Sequence, residues 1–269
     1  MNKRVGFIGA GNMAKAIIGG IINSELIAAE NIFIYGPHVE KLKVTQGQYG
    51  VQICNSAKEL AETMDILFIA VKPNIFLKVL SEVKEYIQKD TIVISIAAGI
   101  TINEMQDILH NEYKVVRAMP NTPALVGEGM SSLCCNHRVT EDEILLVKNI
   151  FESFGKAEIL PEYLIHAVIG ASGSAPAYAF MMIEAMADGA VLGGMPRDKA
   201  YKFAAQALLG SAKMVLETGK HPGELKDMVC SPGGTTIEAV KALEENGFRA
   251  AVIDAMEKCM NKSKDMEKK

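Results

Sequence analysis

The segment Arg4-Val5-Gly6-Phe7-Ile8, succeeded at once by Gly9-Ala10-Gly11-Asn12-Met13-Ala14 and the apolar pair Ile17-Ile18, constrains the fold of this chain more than any other. The short apolar run reads as a buried strand, the glycines as a tight turn, and the residues from Asn12 onward as a helix. In the pattern G-x-G-x-x-G/A the first glycine permits the turn and the second lets a ligand approach the backbone. The small third residue keeps the helix close to the strand. Gly9, Gly11 and Ala14 fill these places. The chain is therefore expected to begin with a dinucleotide-binding unit in which Ile8, Gly9, Ala10, Gly11, Asn12 and Met13 line the pyrophosphate.

Four further apolar runs come after it: Asn31-Ile32-Phe33-Ile34-Tyr35, Asp65 to Val71, Thr91-Ile92-Val93-Ile94-Ser95-Ile96 and Lys114-Val115-Val116-Arg117. Their hydrophobicity is continuous rather than alternating, which predicts strands buried on both faces of a mainly parallel sheet. Between them, Ser56 with Glu59, Thr101 with Glu104 and Thr140 with Glu143 have the spacing of capping boxes at helix starts. Beyond Pro161 the strand signal ends, and Ala, Met, Leu, Glu and Lys recur at helical period. The expected class is α/β: a Rossmann-type domain over residues 1–161, then an all-α domain over 162–269. Ala179, Ala185, Ala187, Ala190, Ala204, Ala205 and Ala207 permit close helix approach. A helical layer of this size has apolar surface to spare, so a homodimer is expected. Ser172-Gly173-Ser174-Ala175-Pro176 reads as the opening of a long helix, and Lys258 to Lys269 as a frayed, solvated end.

Composition narrows the function. With 28 Lys and Arg against 32 Asp and Glu, the net charge of −4 disfavours a nucleic-acid surface. The run Val5–Ile8 is too short for a signal peptide, and no stretch reads as a membrane span. Cys54, Cys134, Cys135, Cys230 and Cys259 are odd in number without C-x-x-C spacing. Free thiols in a cytoplasmic protein are the expectation.

A second anion cradle lies at Cys230-Ser231-Pro232-Gly233-Gly234-Thr235-Thr236, directly before the helical run from Ile237 to Glu244. Helix-start amides carry partial positive charge, so the loop suits a small acid. In the first domain, the end of the second strand, Tyr35-Gly36-Pro37-His38, lacks the carboxylate that holds an NAD ribose. That favours NADPH, with NADH still accepted and His38, Lys41 or Lys43 as phosphate partners, although no Arg stands ready to fork onto the phosphate. Ala70-Val71-Lys72-Pro73 and Ile96-Ala97-Ala98 fall beyond strand ends, where nicotinamide is expected. Asn121 could offer an amide there or bond its own turn. Glu162 sits at the domain junction. His166 and His221 read as structural, and no metal-ligand spacing or acyl-transfer motif occurs.

Along nearly its whole length the chain resembles the pyrroline-5-carboxylate reductase family, on Gly6 to Met13, Ala70 to Pro73, Arg117 to Ala124, Asp188 to Arg197 and, most specifically, Pro222 to Glu244. The resemblance implies reduction of 1-pyrroline-5-carboxylate to L-proline, the last step of proline biosynthesis, by a cytoplasmic homodimer that can assemble into larger rings. It places the substrate carboxylate on Ser231, Gly233, Gly234, Thr235 and Thr236, and an acid, Glu162, near the substrate. Thr236 is the expected hydroxyl on the ring nitrogen. The chain departs from the family at Ala175, where glycine is frequent, and at Gly36, Pro37 and His38, which leaves cofactor preference open. A β-hydroxyacid dehydrogenase would need a catalytic Lys such as Lys199, Lys202 or Lys213, and none sits in that family's glycine-rich setting. An NADP sensor without catalysis would not keep the Ser231–Thr236 loop intact. A six-membered cyclic imine is an alternative substrate, because one methylene changes pocket discrimination by only about 1–3 kcal/mol.

Overall fold

The computed structural model describes residues 2–267. Its strands are β1 (Val5–Ile8), β2 (Ile32–Tyr35), β3 (Gln52–Ile53), β4 (Ile66–Ile69), β5 (Ile92–Ser95), β6 (Lys114–Met119), β7 (Gly129–Cys135) and β8 (Gly155–Ile159). They form one sheet in the order β3-β2-β1-β4-β5-β6-β7-β8. Neighbours are parallel except β6 and β7, which pair antiparallel through Arg117 opposite Cys134. The continuous apolar runs form the central strands, as expected. In contrast, β3 has two residues, and β8 has buried Ala157 flanked by exposed Lys156 and Glu158. A brief or half-solvated edge strand carries no continuous apolar run, so these strands left little trace in the sequence.

Helices α1 (Asn12–Asn23), α2 (Val39–Tyr49), α3 (Ala57–Thr63), α4 (Pro73–Val83), α5 (Ile102–Leu109) and α6 (Glu141–Glu152) alternate with the strands. Val5, Phe7, Ile66, Phe68, Ile92 and Ile94 pack on one face of the sheet against Ile17, Ile18 and Ile21 of α1 and Phe151 of α6. Ile8, Leu67, Ile69 and Val93 point the other way, onto Leu60, Phe76, Leu80 and Met105 of α3, α4 and α5. At about 1.5–3 kcal/mol for each large apolar side chain buried, these two layers hold the strand ends in place. Cys134 and Cys135 split between the two faces, as adjacent strand residues must. Full capping boxes form at Thr101 with Glu104 and at Thr140 with Glu143. The third is half-built: Ser56 accepts from Glu59 N, while the Glu59 carboxylate turns to Asn55 N.

The remaining helices are α7 (Ile165–Val168), α8 (Ala175–Leu192), α9 (Arg197–Thr218), α10 (Pro222–Val229), α11 (Thr235–Glu245) and α12 (Phe248–Glu267). Residues Ile169–Gly173 form a π-turn, and Ser174 has helical backbone angles (φ −97°, ψ −17°). The 18-residue helix α8 starts at Ala175 with Pro176 in its first turn, so Ser172–Pro176 opens a long helix, as expected, directly behind the π-turn. With the short turns before it, the helical stretch reaches from Glu162 to Leu192, interrupted at Ser174. Pro176 cannot donate to the Ser172 carbonyl, and the Asn121 Nδ2 group donates to that oxygen at 3.2 Å instead. The same stretch is long and apolar enough to cross a membrane by length and composition, which corrects the expectation that no stretch is. Gly173 and Pro176 hide its length in the sequence.

Two compact units emerge. One comprises residues up to Ser174 together with those from Cys259 onward, and the other runs from Ala175 to Lys258. The strands end at Ile159, close to the expected boundary at Pro161, but the first unit also takes in the π-turn and the end of α12. That end is not frayed. Ser263 is buried and Glu267 is ion-paired, with Lys268 and Lys269 outside the described residues. In the second unit α8 packs along α9, yet Met181, Phe203, Leu216 and Ile253 stand largely exposed in the single chain.

Candidate active site

Sheet order places the first candidate site. Strand β1 is followed by β2 on one side, while the chain returns through β4 on the other, so the loops leaving β1 and β4 diverge and open a crevice. Ile8 to Met13, Tyr35 to Pro37, Ala70 to Pro73 and Ile96 to Ala98 all lie at the carboxyl ends of β1, β2, β4 and β5 along this one edge.

The Gly9 amide donates to the Tyr35 carbonyl at 2.7 Å, and the Ala70 amide to that of Ile8 at 2.8 Å. Gly9 has φ +109°, and a Cβ there would lie 2.4 Å from the Ala70 carbonyl oxygen. Only glycine fits. At Gly11 a Cβ would meet nothing within 4 Å, so the backbone faces open space. Gly11 caps α1 without a side chain, leaving the first-turn amides free. An unobstructed backbone before an uncapped helix start fits a pyrophosphate. Ala14, in the third motif position, is buried against the core.

At the β2 end, His38 caps α2 without a side-chain hydrogen bond, and both it and Lys41 are exposed. Lys43 pairs with Glu40 at 3.3 Å. Lys72 is the exposed cap residue of α4 and Pro73 its first residue.

Asn121 is placed differently from the other expected contacts. Its Oδ1 accepts from Met130 N at 2.8 Å, and its Nδ2 donates to the carbonyl and the hydroxyl of Ser172, each at 3.2 Å. In this structure the amide joins β7 to the π-turn.

The second candidate site is Ser231–Thr236. His221 caps α10 by accepting from Gly223 N through Nδ1, which bears out its structural role. Gly234 N closes a turn onto the Ser231 carbonyl at 3.1 Å, with Pro232 second and Gly233 third at φ +68°. This is the residue order of a type II turn. A Cβ at Gly234 would lie 2.4 Å from Ser231 Oγ, so the hydroxyl rests directly over that glycine. Gly234 then caps α11 with no side chain, and the amides of Thr235, Thr236 and Ile237 have neither intrahelical acceptor nor cap. Among the described residues no hydrogen bond engages the Thr236 hydroxyl. The loop presents amides and hydroxyls around one helix start, a geometry suited to a carboxylate.

Glu162 is half-buried. Its Oε1 accepts from Arg117 Nη1 and from Ile102 N, each at 2.9 Å. His166 is also tied down, with Nδ1 2.9 Å from Ser263 Oγ and Nε2 3.3 Å from Glu267 Oε2. Sequence reasoning assigned no partners to Arg117 and missed Glu267 altogether. The available signal was a charge at the end of the apolar run Lys114–Arg117, which when buried must be paired.

Lys199 and Lys213 are exposed and paired with Asp198 and Glu217. Burial pushes the Cys134 thiol up to about 11, which keeps it protonated and unreactive at neutral pH. Among the described residues no cluster of His, Cys, Asp and Glu could hold a metal ion.

A family model described as pyrroline-5-carboxylate reductase dimerisation matches residues 162–266, and one described as NADP oxidoreductase, coenzyme F420-dependent, matches residues 4–99. The chain is similar to the pyrroline-5-carboxylate reductase of Escherichia coli (strain K12), with 58% identity over 268 residues and 100% of each chain covered. Its fold is similar to the crystal structure of Plasmodium falciparum pyrroline carboxylate reductase with NADP bound, at 35% identity and TM-score 0.89, covering 99% of this chain and 98% of that one. The pyrroline-5-carboxylate reductase of Coxiella burnetii matches at 33% identity and TM-score 0.94, with 100% of each chain covered. With such likeness running end to end through both anion cradles, the chain belongs to the pyrroline-5-carboxylate reductase family.

Proposed function

We propose that this protein reduces 1-pyrroline-5-carboxylate to L-proline at the expense of NADPH, with NADH as a second reductant, in the last step of proline biosynthesis. The observation that carries the reading is the pair of uncapped, glycine-preceded helix starts, at Gly11 and Gly234. One suits a dinucleotide and the other a small carboxylate.

When bound at the Gly9–Met13 turn, NADPH supplies a hydride from nicotinamide C4. The amides of Gly233, Thr235 and Thr236, with the Ser231 hydroxyl, hold the substrate carboxylate, and Gly234, its own amide closing the turn, lets the carboxylate approach the backbone. Thr236 donates its free hydroxyl toward the ring nitrogen. That nitrogen is basic enough to carry a proton from water, so the adjacent carbon accepts hydride without a strong protein acid. The balance is imine plus proton plus NADPH giving proline plus NADP⁺. Catalysis then rests on placing the two carbons within roughly 3–3.5 Å. Glu162, its Oε1 engaged by Arg117 and Ile102 N, is the acid that the family resemblance assigns to the substrate.

The family's dimerisation model over residues 162–266 supports self-association, with larger rings as a further assembly. A second copy would cover the exposed apolar residues of α8, α9 and α12. Neither a nucleic acid nor a membrane is a partner in this reading. A cytoplasmic location suits five cysteines that are all free.

The test is NADPH oxidation, and separately NADH oxidation, followed at the nicotinamide absorbance with 1-pyrroline-5-carboxylate, and proline quantified as product. Imine-dependent oxidation with stoichiometric proline is the expected result. Nucleotide binding without oxidation would overturn it.

A further inference from the structure

The last turn of the protein is built into its nucleotide-binding unit. Arg117 on β6 lies in register with Ser95, the final residue of β5, which leads straight into Ile96-Ala97-Ala98-Gly99. Its side chain is 2% exposed. Nη1 donates to Glu162 Oε1 at 2.9 Å, and Nη2 to Glu267 Oε1 at 2.6 Å. The same Glu162 oxygen accepts from Ile102 N, the first amide of α5. Glu267 is held in turn by His166, which is itself fixed by buried Ser263. One residue earlier, Met266 backs the loop directly: a Cβ on Gly99 would lie 3.3 Å from Met266 Cβ.

A buried guanidinium must be paired, and its planar fork leaves two engaged carboxylates little freedom. Here the fork joins β6 to residues 45 and 150 positions away in sequence. The contacts converge on both ends of one short loop, Ser95 on one side and Ile102 on the other, with Met266 beneath its middle. A charge serving β6 alone would need no such reach.

We infer that Arg117 and Glu267 are positioning residues: the C-terminal turn fixes where the Ile96–Gly99 loop presents its backbone to the nicotinamide ring. The inference rests on the reductase reading above and on the position of that loop beyond the carboxyl end of β5, where the sequence leads the nicotinamide to be expected.

Three full-length variants test it. Glu267→Gln keeps the shape and removes the charge, Glu267→Asp keeps the charge, and Met266→Ala touches only the loop support. Amide hydrogen exchange over residues 96–102, read on the protein without nucleotide, is expected to quicken in Glu267→Gln and Met266→Ala while β1 stays protected. At a temperature where every variant is folded, kcat should fall about tenfold or more in Glu267→Gln, as a small misplacement of reacting groups produces, and by less in Met266→Ala. Glu267→Asp should recover part of the loss. A purely structural role would lower the melting temperature alone. Unchanged exchange together with kcat and NADPH KM within about twofold of the parent overturns the inference. If Glu267→Gln does not fold, Met266→Ala decides by the same criteria. Should the parent itself fail to oxidise NADPH with the imine, the reductase reading falls, and the exchange result alone decides this one.

Discussion

The Gly9–Met13 turn and the Ser231–Thr236 loop use one electrostatic device, a helix start left uncapped behind glycine, yet they are enforced in different ways. At Gly9 the constraint comes from a neighbouring strand, because the Ala70 carbonyl occupies the space a side chain would need. At Gly233 a Cβ would meet no atom within 4 Å, and only the positive φ of its own turn asks for glycine. The first cradle is thus held by the sheet and the second by its local sequence. The difference teaches that the same kind of anion site can be rigid by packing or by turn chemistry, and that the two should fail differently when disturbed.

The largest effect should come from Gly9→Ala, which combines backbone strain and overpacking at about 1–3 kcal/mol each. Thermal denaturation should show a melting temperature lower by roughly 4–24 °C, using about 2–4 °C per kcal/mol for a chain of this size. NADPH titration should show binding largely lost. A variant that melts with the parent and binds nucleotide would mean that the sheet does not enforce this turn.

Thr236→Ala comes next, at the second cradle. Removing a hydroxyl that acts at the reacting nitrogen should lower kcat about 100- to 1000-fold, in the range seen when a transition-state donor is deleted. The NADPH dissociation constant should stay within about twofold, since the nucleotide turn is untouched. Unchanged turnover would remove Thr236 from the chemistry and leave the loop as an anchor only.

Gly233→Ala should do least. The left-handed strain costs about 1–2 kcal/mol and stays within the turn. Steady-state kinetics should show KM for the imine raised by roughly three- to tenfold, with the melting temperature lower by only about 2–8 °C. If Gly233→Ala proved as damaging to stability as Gly9→Ala, the contrast between a sheet-held and a self-held cradle would collapse.

Much of the first unit could be read in the sequence because its strands are buried on both faces. Every residue of β1, β4 and β5 is buried, and such strands leave unbroken apolar runs. Capping boxes at Thr101 and Thr140 were legible for a related reason: both partners sit on the same helix turn. Legibility failed where the deciding partner is remote. Of the helical stretch from Glu162 to Leu192 the sequence showed only the part from Ser172 onward, because nothing nearby in sequence says that Asn121 will bond the carbonyl proline leaves free. The C-terminal turn looked like a solvated charge run, because its acid finds Arg117 only after folding.

By itself the sequence determined both candidate anion cradles, since helix-start amides, glycine backbone freedom and a preceding strand or turn are all matters of a few consecutive residues. Tertiary structure alone decided which polar side chains remain available beside them. It spent Asn121 on the π-turn, tied Glu162 to Arg117 and Ile102, and locked His166 to Ser263 and Glu267. The physical reason is that a buried polar group must be paired, and the partner that satisfies it is chosen by proximity in space across 45 to 150 residues of chain.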